Sequence, residues 1–162
     1  DVLTGLGNGF NPDIECNEPL LVGGGVGVPP LYHLAKELLA QGKKVSVVLG
    51  FNTAAEVFYA EEFRQLGAEV YVSTADGSMG VKGFVTDAIR VAKIEFDYFY
   101  ACGPLPMLKA LCDNCSQKGE LSFEERMGCG FGACMGCSCK TLTGNKRICK
   151  EGPVMRREEI IW

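Results

Sequence analysis

Apolar and polar positions along this chain follow two periods in turn. Pro19-Leu-Leu-Val22 is a short apolar run ending in Gly23-Gly24-Gly25, as a strand buried on both faces reads. Leu31, Leu34, Ala35, Leu38 and Leu39 then recur at i, i+3, i+4, i+7 and i+8, the apolar stripe of a helix. Pro29-Pro30 suits its first turn and Gly42 its end. The cycle repeats: strands are predicted over Val45–Leu49, Ala68–Val72 and Phe96–Ala101, and helices over Ala54–Leu66, Val85–Ala92 and Leu105 to about Gln117. Such alternation predicts an α/β fold, a Rossmann-like parallel sheet with helices on both faces. Residues 1–18 are rich in Gly, Pro and Asn and predict an irregular lead-in. From Gly119 the alternation stops and a glycine- and cysteine-rich segment takes over. The predicted division is therefore a nucleotide-binding type of domain over 1–118 and a small carboxy-terminal segment over 119–162.

Composition narrows the class. Hydrophobic residues make up 47% of the chain and charged residues 22%, enough apolar material for a packed core. The net charge of −4 argues against a general nucleic-acid or anionic-membrane binder, which carries a basic excess. No apolar run approaches the ~20 residues that span a bilayer, so a cytoplasmic protein is expected. The chain opens on Asp1 and not methionine, which raises the expectation of missing upstream residues. His33 is the only histidine, leaving one candidate for histidine base catalysis and little scope for a mixed Cys/His metal site.

The turn LVGGGVGVPP, Leu21–Pro30, joins the first predicted strand to the first helix. Glycines there let backbone N–H groups approach a pyrophosphate, and the helix N-terminus adds positive partial charge. Gly23, Gly24, Gly25 and Gly27 are the candidates; a tight strand-to-helix connection with no ligand is the alternative. The match to G-x-G-x-x-G is imperfect, because Pro30 stands in the third glycine's place. At the end of the second strand the chain reads Gly50-Phe-Asn52 with Glu56 a turn later, and no Arg or Lys stands there to pair with a 2′-phosphate. That leans to NAD over NADP. Ala101-Cys-Gly-Pro-Leu-Pro106 ends a strand where the reactive end of a cofactor would lie; the alternative for Cys102 is a buried small hydrophobe.

Five of the nine cysteines fall between Glu124 and Pro153. Cys129-x4-Cys134-x2-Cys137, followed after eleven residues by Cys149, has the C-x4-C-x2-C…C spacing of plant-type [2Fe–2S] ligation. Gly128, Gly130, Gly132 and Gly136 supply small residues and positive φ where such a loop curls, and their amides are candidates to point at sulfur. Zinc is the rival, through Cys112-x2-Cys115 with Cys134-x2-Cys137, although Cys112 and Cys115 fall in a predicted helix. Cys139 is the surplus thiol, expected to pack inward or lie nearby, and Cys16 is expected to be incidental.

GGGVGVPPL, TADGSMGVKG and ACGPLPM together resemble the pyridine-nucleotide domain of the ferredoxin reductase-like flavoproteins. In that family a flavin-binding barrel precedes this domain. Asp1–Phe10 is similar to the connecting segment, and the barrel itself is absent here, so this chain alone is not expected to hold FAD. With CGFGACMGCSCK…ICKEGPV added, the whole chain resembles the electron-transfer subunits of NAD-dependent dihydroorotate dehydrogenases. The resemblance implies cluster ligands at Cys129, Cys134, Cys137 and Cys149, and Cys102 beside the nicotinamide and flavin rings as the catalytic-site residue. It implies cofactor contacts at Gly23, Gly24, Gly25, Gly27, Gly103 and Pro104, to which Asn52 and Asp76 of the TADGSMGVKG loop are added. It also implies an electron relay in pyrimidine biosynthesis. A partner subunit oxidises dihydroorotate on FMN, a [2Fe–2S] cluster passes single electrons, and FAD collects two for hydride transfer to NAD⁺.

Two other functions stay open. One is a reductase of the same superfamily serving a hydrogenase, sulfite reductase or oxygenase. The other is a non-catalytic nucleotide-sensing module with structural zinc. Lys140, Lys146, Arg147, Lys150, Arg156 and Arg157 follow the cysteines, either as a docking face for a partner or as a solvated surface.

Overall fold

In the computed structural model, which describes residues 5–162, the apolar run after the lead-in forms β1 (Pro19–Gly24), buried at every position. It pairs in parallel with β2 (Ser46–Phe51) on one side and β5 (Tyr98–Cys102) on the other. Outward from β2 lie β3 (Glu69–Thr74) and the two-residue β4 (Val81–Lys82). Outward from β5 lie β6 (Lys118–Ser122) and β9 (Val154–Arg156). The seven-stranded order is β4-β3-β2-β1-β5-β6-β9, parallel except for the β6–β9 pair. A separate antiparallel hairpin, β7 (Ser138–Thr141) and β8 (Gly144–Arg147), lies within the cysteine segment.

Helices cover both faces, as the alternation predicts. Leu31, Leu34, Ala35 and Leu38 of α1 (Val28–Ala40) and Phe63 of α2 (Ala60–Gln65) pack with Leu21, Val47 and Leu49 on one side. Val85 and Ala88 of α3 (Val85–Ala92) and Leu108 and Leu111 of α4 (Leu105–Asn114) pack with Leu20, Val22 and Val48 on the other. Each fully buried Leu or Phe contributes roughly 1.5–3 kcal/mol of transfer free energy. Cys137, Ile148 and Cys149 belong to the second core, so the cysteine segment is packed on the sheet.

Three expectations differ from the structure. The helix expected over Ala54–Leu66 is a 3-10 turn at Ala54–Glu56 followed by α2, because Tyr59 is left-handed (φ 64°) and sets its ring against Tyr32 and Phe63. The alternation does not stop at Gly119: Lys118–Ser122 is a further parallel strand. Its polar–apolar mixture, KGELS, hides a buried strand, because Glu120 is buried and accepts a hydrogen bond from the Asn11 amide at 2.9 Å. The division placed near 118–122 thus falls on a strand of the sheet. Finally, α4 ends at Asn114, short of the predicted Gln117. Of the segment likened to a connection, Asp1–Phe10, residues 1–4 lie outside the described residues. Among the described residues no helix is long and apolar enough to cross a membrane.

Candidate functional site: a nucleotide cleft and a cysteine loop

The connections from β1 and β5 leave in opposite directions, β1 through α1 to β2 and β5 through α4 to β6. Such a switch point opens a crevice at the carboxyl ends of the strands. A cavity of about 390 Å³ lies there, lined by Gly24, Gly25, Asn52 and Pro104 of the expected residues and by Glu56, Phe84 and Met107. Its size suits a small-molecule ligand. Gly25 has φ +52° with open space where a Cβ would stand, so its backbone faces the cleft unshielded.

Gly23 and Gly27 are not in that lining. A Cβ at Gly23 would meet Val28 Cγ2 at 2.9 Å, and one at Gly27 would meet the Cys102 carbonyl oxygen at 2.1 Å. These two glycines let the β1–α1 turn close onto α1 and onto the end of β5. Asp76 also lies outside the lining. Its carboxylate accepts from the Ser78 hydroxyl at 2.6 Å and amide at 2.9 Å, and Ser78 Oγ accepts from the Ala54 amide at 2.7 Å. Those bonds, the hydroxyl's first, hold the Asp76 carboxyl below the usual range. The residue braces the Ala54 turn that carries Glu56. Glu56 itself accepts from the Asn52 amide at 3.2 Å and from Asn52 Nδ2 at 3.0 Å, which fixes a carboxylate at the end of β2.

Cys102 ends β5 half-buried, and burial pushes its thiol pKa up, offset by a side-chain hydrogen bond with Ser122. Gly103 and Pro104 border a second hollow of about 410 Å³ together with Leu105, Leu108 and Glu124–Arg126. Pro104 thus lines both hollows.

In the cysteine loop, backbone amides turn toward sulfur. Ala133 N–H donates to Cys129 Sγ at 3.2 Å, Gly136 N–H to Cys134 Sγ at 3.5 Å and Cys149 N–H to Cys137 Sγ at 3.4 Å. Amide bonds, that of Cys134 foremost, hold the Cys129 thiol down to about 6, and the Cys149 amide lowers Cys137. Cys149 is pushed up, first by burial and then by the neighbouring Cys137. The curl uses positive φ at Gly130 (76°), Gly132 (93°) and, unforeseen, Met135 (60°). At Gly128 and Gly136 the backbone is not left-handed, and an added Cβ would make only an ordinary contact with Cys134 Sγ at 3.4 and 3.5 Å.

Cys134 acts on the Cys129 thiol and Cys137 on the Cys149 thiol, which also feels Cys129. Among the described residues no group of three or more His, Cys, Asp or Glu side chains converges on a point for one metal ion. Four thiols in this spacing, three of them accepting from backbone amides, fit the donor set of a [2Fe–2S] group, which takes two sulfurs on each iron. Tetrahedral zinc takes four around one ion. Cys112 and Cys115 lie at the end of α4, where Arg157 Nη2 donates to both carbonyls at 2.9 and 2.6 Å. Cys139 turns its thiol to Met155 Sδ at 3.3 Å.

Residues 21–113, more than half of the chain, match the family model described as the oxidoreductase NAD-binding domain. The chain belongs to that family. Residues 124–161 match a second model, the iron-sulfur cluster binding domain of dihydroorotate dehydrogenase B. Curated relatives carry the name dihydroorotate dehydrogenase B (NAD(+)), electron transfer subunit. One from Geobacillus sp. (strain WCH70) is 53% identical over 99% of this chain and 65% of its own length. Another, from Lysinibacillus sphaericus, is 54% identical over 95% of this chain and 62% of its own. The chain thus spans less than two thirds of these relatives. A solved NADH-dependent reduced ferredoxin-NADP oxidoreductase is 36% identical, with a TM-score of 0.85 over 100% of this chain and 60% of that one. The FAD/NAD binding domain of a nitric oxide dioxygenase from Vibrio cholerae is 27% identical, with a TM-score of 0.55 over 67% of this chain and 48% of that one. The expected α/β class and the family resemblance are borne out by these matches.

In this NAD-binding-domain family member, the basic residues after the cysteines divide. Lys146 pairs with Glu159 and Arg147 with Glu151, while Arg157 caps the carbonyl end of α4. Lys140, Lys150 and Arg156 are exposed. Half of the set is therefore structural, a distinction that composition does not carry. His33 is exposed beside Glu37 on α1.

Proposed function

We propose that this chain is the nucleotide- and cluster-binding part of an electron-transfer subunit of an NAD-dependent dihydroorotate dehydrogenase. In this reading the nucleotide part extends through β6, past the division placed between 118 and 119, and the cluster part follows it. Cys129, Cys134, Cys137 and Cys149 hold a [2Fe–2S] centre. Gly24, Gly25, Asn52 and Pro104 contact NAD, with Gly23, Gly27 and Asp76 shaping the backbone around them. The observation that carries the reading is that a C-x4-C-x2-C…C loop packs Cys137 and Cys149, with Cys129 beside them, onto the same sheet that opens the glycine-lined cleft.

When bound, the iron–sulfur centre exchanges single electrons while flavin and NAD exchange pairs, so a flavin mediates between them. The chain's own work is positioning. The open backbone at Gly25 and the N-terminus of α1 receive a pyrophosphate. The Asn52-held carboxylate of Glu56 stands where a ribose hydroxyl is accepted, the basis for NAD over NADP. Pro104 lines both hollows, and Cys102, two residues before it at the end of β5, is assigned the place beside nicotinamide and flavin. FAD belongs with sequence beyond this chain, FMN with the catalytic partner subunit, and the assembly with the cytoplasm.

A second reading, a reductase serving another redox partner, draws on the 36% identity with the ferredoxin-NADP oxidoreductase over the whole chain. Anaerobic co-purification of the full-length chain decides between them. The first reading expects an FMN-containing dihydroorotate-oxidising subunit to co-elute and NAD⁺ to be reduced on addition of dihydroorotate. Co-elution with a different oxidoreductase and no response to dihydroorotate contradicts it.

A further inference from the structure

We propose that Arg147 is the positioning residue that joins the two halves of the cysteine loop, and that with Glu151 it sets the charge around the iron–sulfur centre. The inference rests on the reading above. Three thiols come from one stretch, Cys129 to Cys137, and the fourth from the separate turn around Cys149. Something must hold that turn in register with the loop.

Arg147 touches both. Its Nη1 donates to the Gly132 carbonyl at 2.5 Å, in the middle of the first stretch. Its Nε donates to Glu151 Oε2 at 2.9 Å and its Nη2 pairs with Glu151 Oε1. Its backbone amide also donates to Glu151 Oε2 at 2.7 Å, and its carbonyl accepts from Lys150, Glu151 and Gly152 at 3.1, 2.8 and 3.3 Å. The turn that presents Cys149 is thus wound around Arg147 at both its side chain and its main chain. Gly132 has a left-handed backbone, φ +93°, and an added Cβ would also lie 3.3 Å from Arg147 Nη1 and displace the flexible Lys150 side chain. A planar guanidinium with forked donors can serve a carbonyl and a carboxylate together, which a lysine ammonium does not reproduce.

The charge argument is separate from the tether. Arg147 and Glu151 are both partly shielded, with side-chain exposures of 24% and 32%. Together they present little net charge to the neighbouring thiolates. A cluster becomes more negative on reduction, so removing Arg147 leaves Glu151 to disfavour reduction, and removing the Glu151 charge leaves Arg147 to favour it. The two substitutions therefore move the reduction potential in opposite directions. Loosening or added solvent access alone would move both variants the same way.

The test is a redox titration, followed by electron paramagnetic resonance, of the full-length protein carrying its centre. It compares wild type with Arg147→Gln, Arg147→Lys and Glu151→Gln, and measures iron release to a chelator alongside. The expected result is a lower midpoint for Arg147→Gln and a higher one for Glu151→Gln. Each shift corresponds to about tenfold in the reduced-to-oxidised ratio, ~59 mV for one electron. Arg147→Lys keeps the wild-type midpoint but releases iron faster, because its charge remains and the Gly132 bond does not. If Arg147→Gln assembles no centre, the other two variants still carry the sign and the tether. Midpoints that move together, or not at all, in a protein with a normal centre overturn the proposal alone. A wild-type protein that takes up no iron and sulfide overturns the function reading and this proposal with it.

Discussion

Gly27 and Cys102 meet backbone to backbone: a Cβ on Gly27 would stand 2.1 Å from the Cys102 carbonyl oxygen and 2.8 Å from the Gly103 amide nitrogen. This approach brings the β1–α1 turn against the end of β5, behind the glycines that line the cleft. Gly27→Ala forces the two strand ends apart, an overpacking cost of about 1–3 kcal/mol or more. Urea unfolding should show the loss, and NADH titration should show weakened binding. Unchanged values would mean the turn opens freely.

Gly25 makes a contrasting case, because an added Cβ meets nothing within 4 Å but φ is +52°. Gly25→Ala should cost only the left-handed backbone term, ~1–2 kcal/mol, with no clash. A loss larger than that of Gly27→Ala would contradict the distinction between the two glycines.

Two bonds from Asn52 hold the Glu56 carboxylate, to which the proposed function gives the ribose hydroxyl. Glu56→Gln should weaken NADH binding by roughly tenfold, within the ~1–3 kcal/mol cost of a lost charged hydrogen bond, while the fold persists. Glu56→Arg should shift preference toward NADPH. Isothermal titration with both nucleotides checks this, and equal losses for the two would sink the assignment.

Glu120 gives the fold a pH dependence of defined sign. Burial raises its carboxyl above the ordinary value of 4.5, opposed by the Asn11 amide bond and by Arg156. Below that value the carboxyl is protonated in both folded and unfolded chains. As pH rises through the raised folded value, the unfolded chain ionises more easily and stability falls. Glu120→Gln should therefore flatten the decline in Tm as pH rises above the ordinary carboxylate range. A parallel decline in the variant would place the titration elsewhere.

The sheet and its helices were legible because Leu20–Val22 and Leu31–Leu38 carry clean periods that burial then uses. The break at Tyr59 was not, since a left-handed tyrosine is set by aromatic packing from distant Tyr32. β6 was hidden because its buried Glu120 finds its partner 109 residues away, at Asn11. In the site, cysteine spacing located the loop, but Met135 and the Arg147–Glu151–Gly132 link depend on contacts between segments that no local pattern encodes. Glu56 was visible as an acidic residue near the second strand, and its hold by Asn52 emerged only in three dimensions.

The central claim is that four cysteines, and not Cys139, hold a [2Fe–2S] centre beside the nucleotide cleft. Iron and sulfide analysis with visible absorption, on anaerobically reconstituted wild type, Cys149→Ser and Cys139→Ser, tests it most directly. The account predicts about two irons and two sulfides per wild-type chain for a [2Fe–2S] centre, retained in Cys139→Ser and lost in Cys149→Ser. A colourless wild type holding one zinc, or loss in Cys139→Ser with retention in Cys149→Ser, would contradict it.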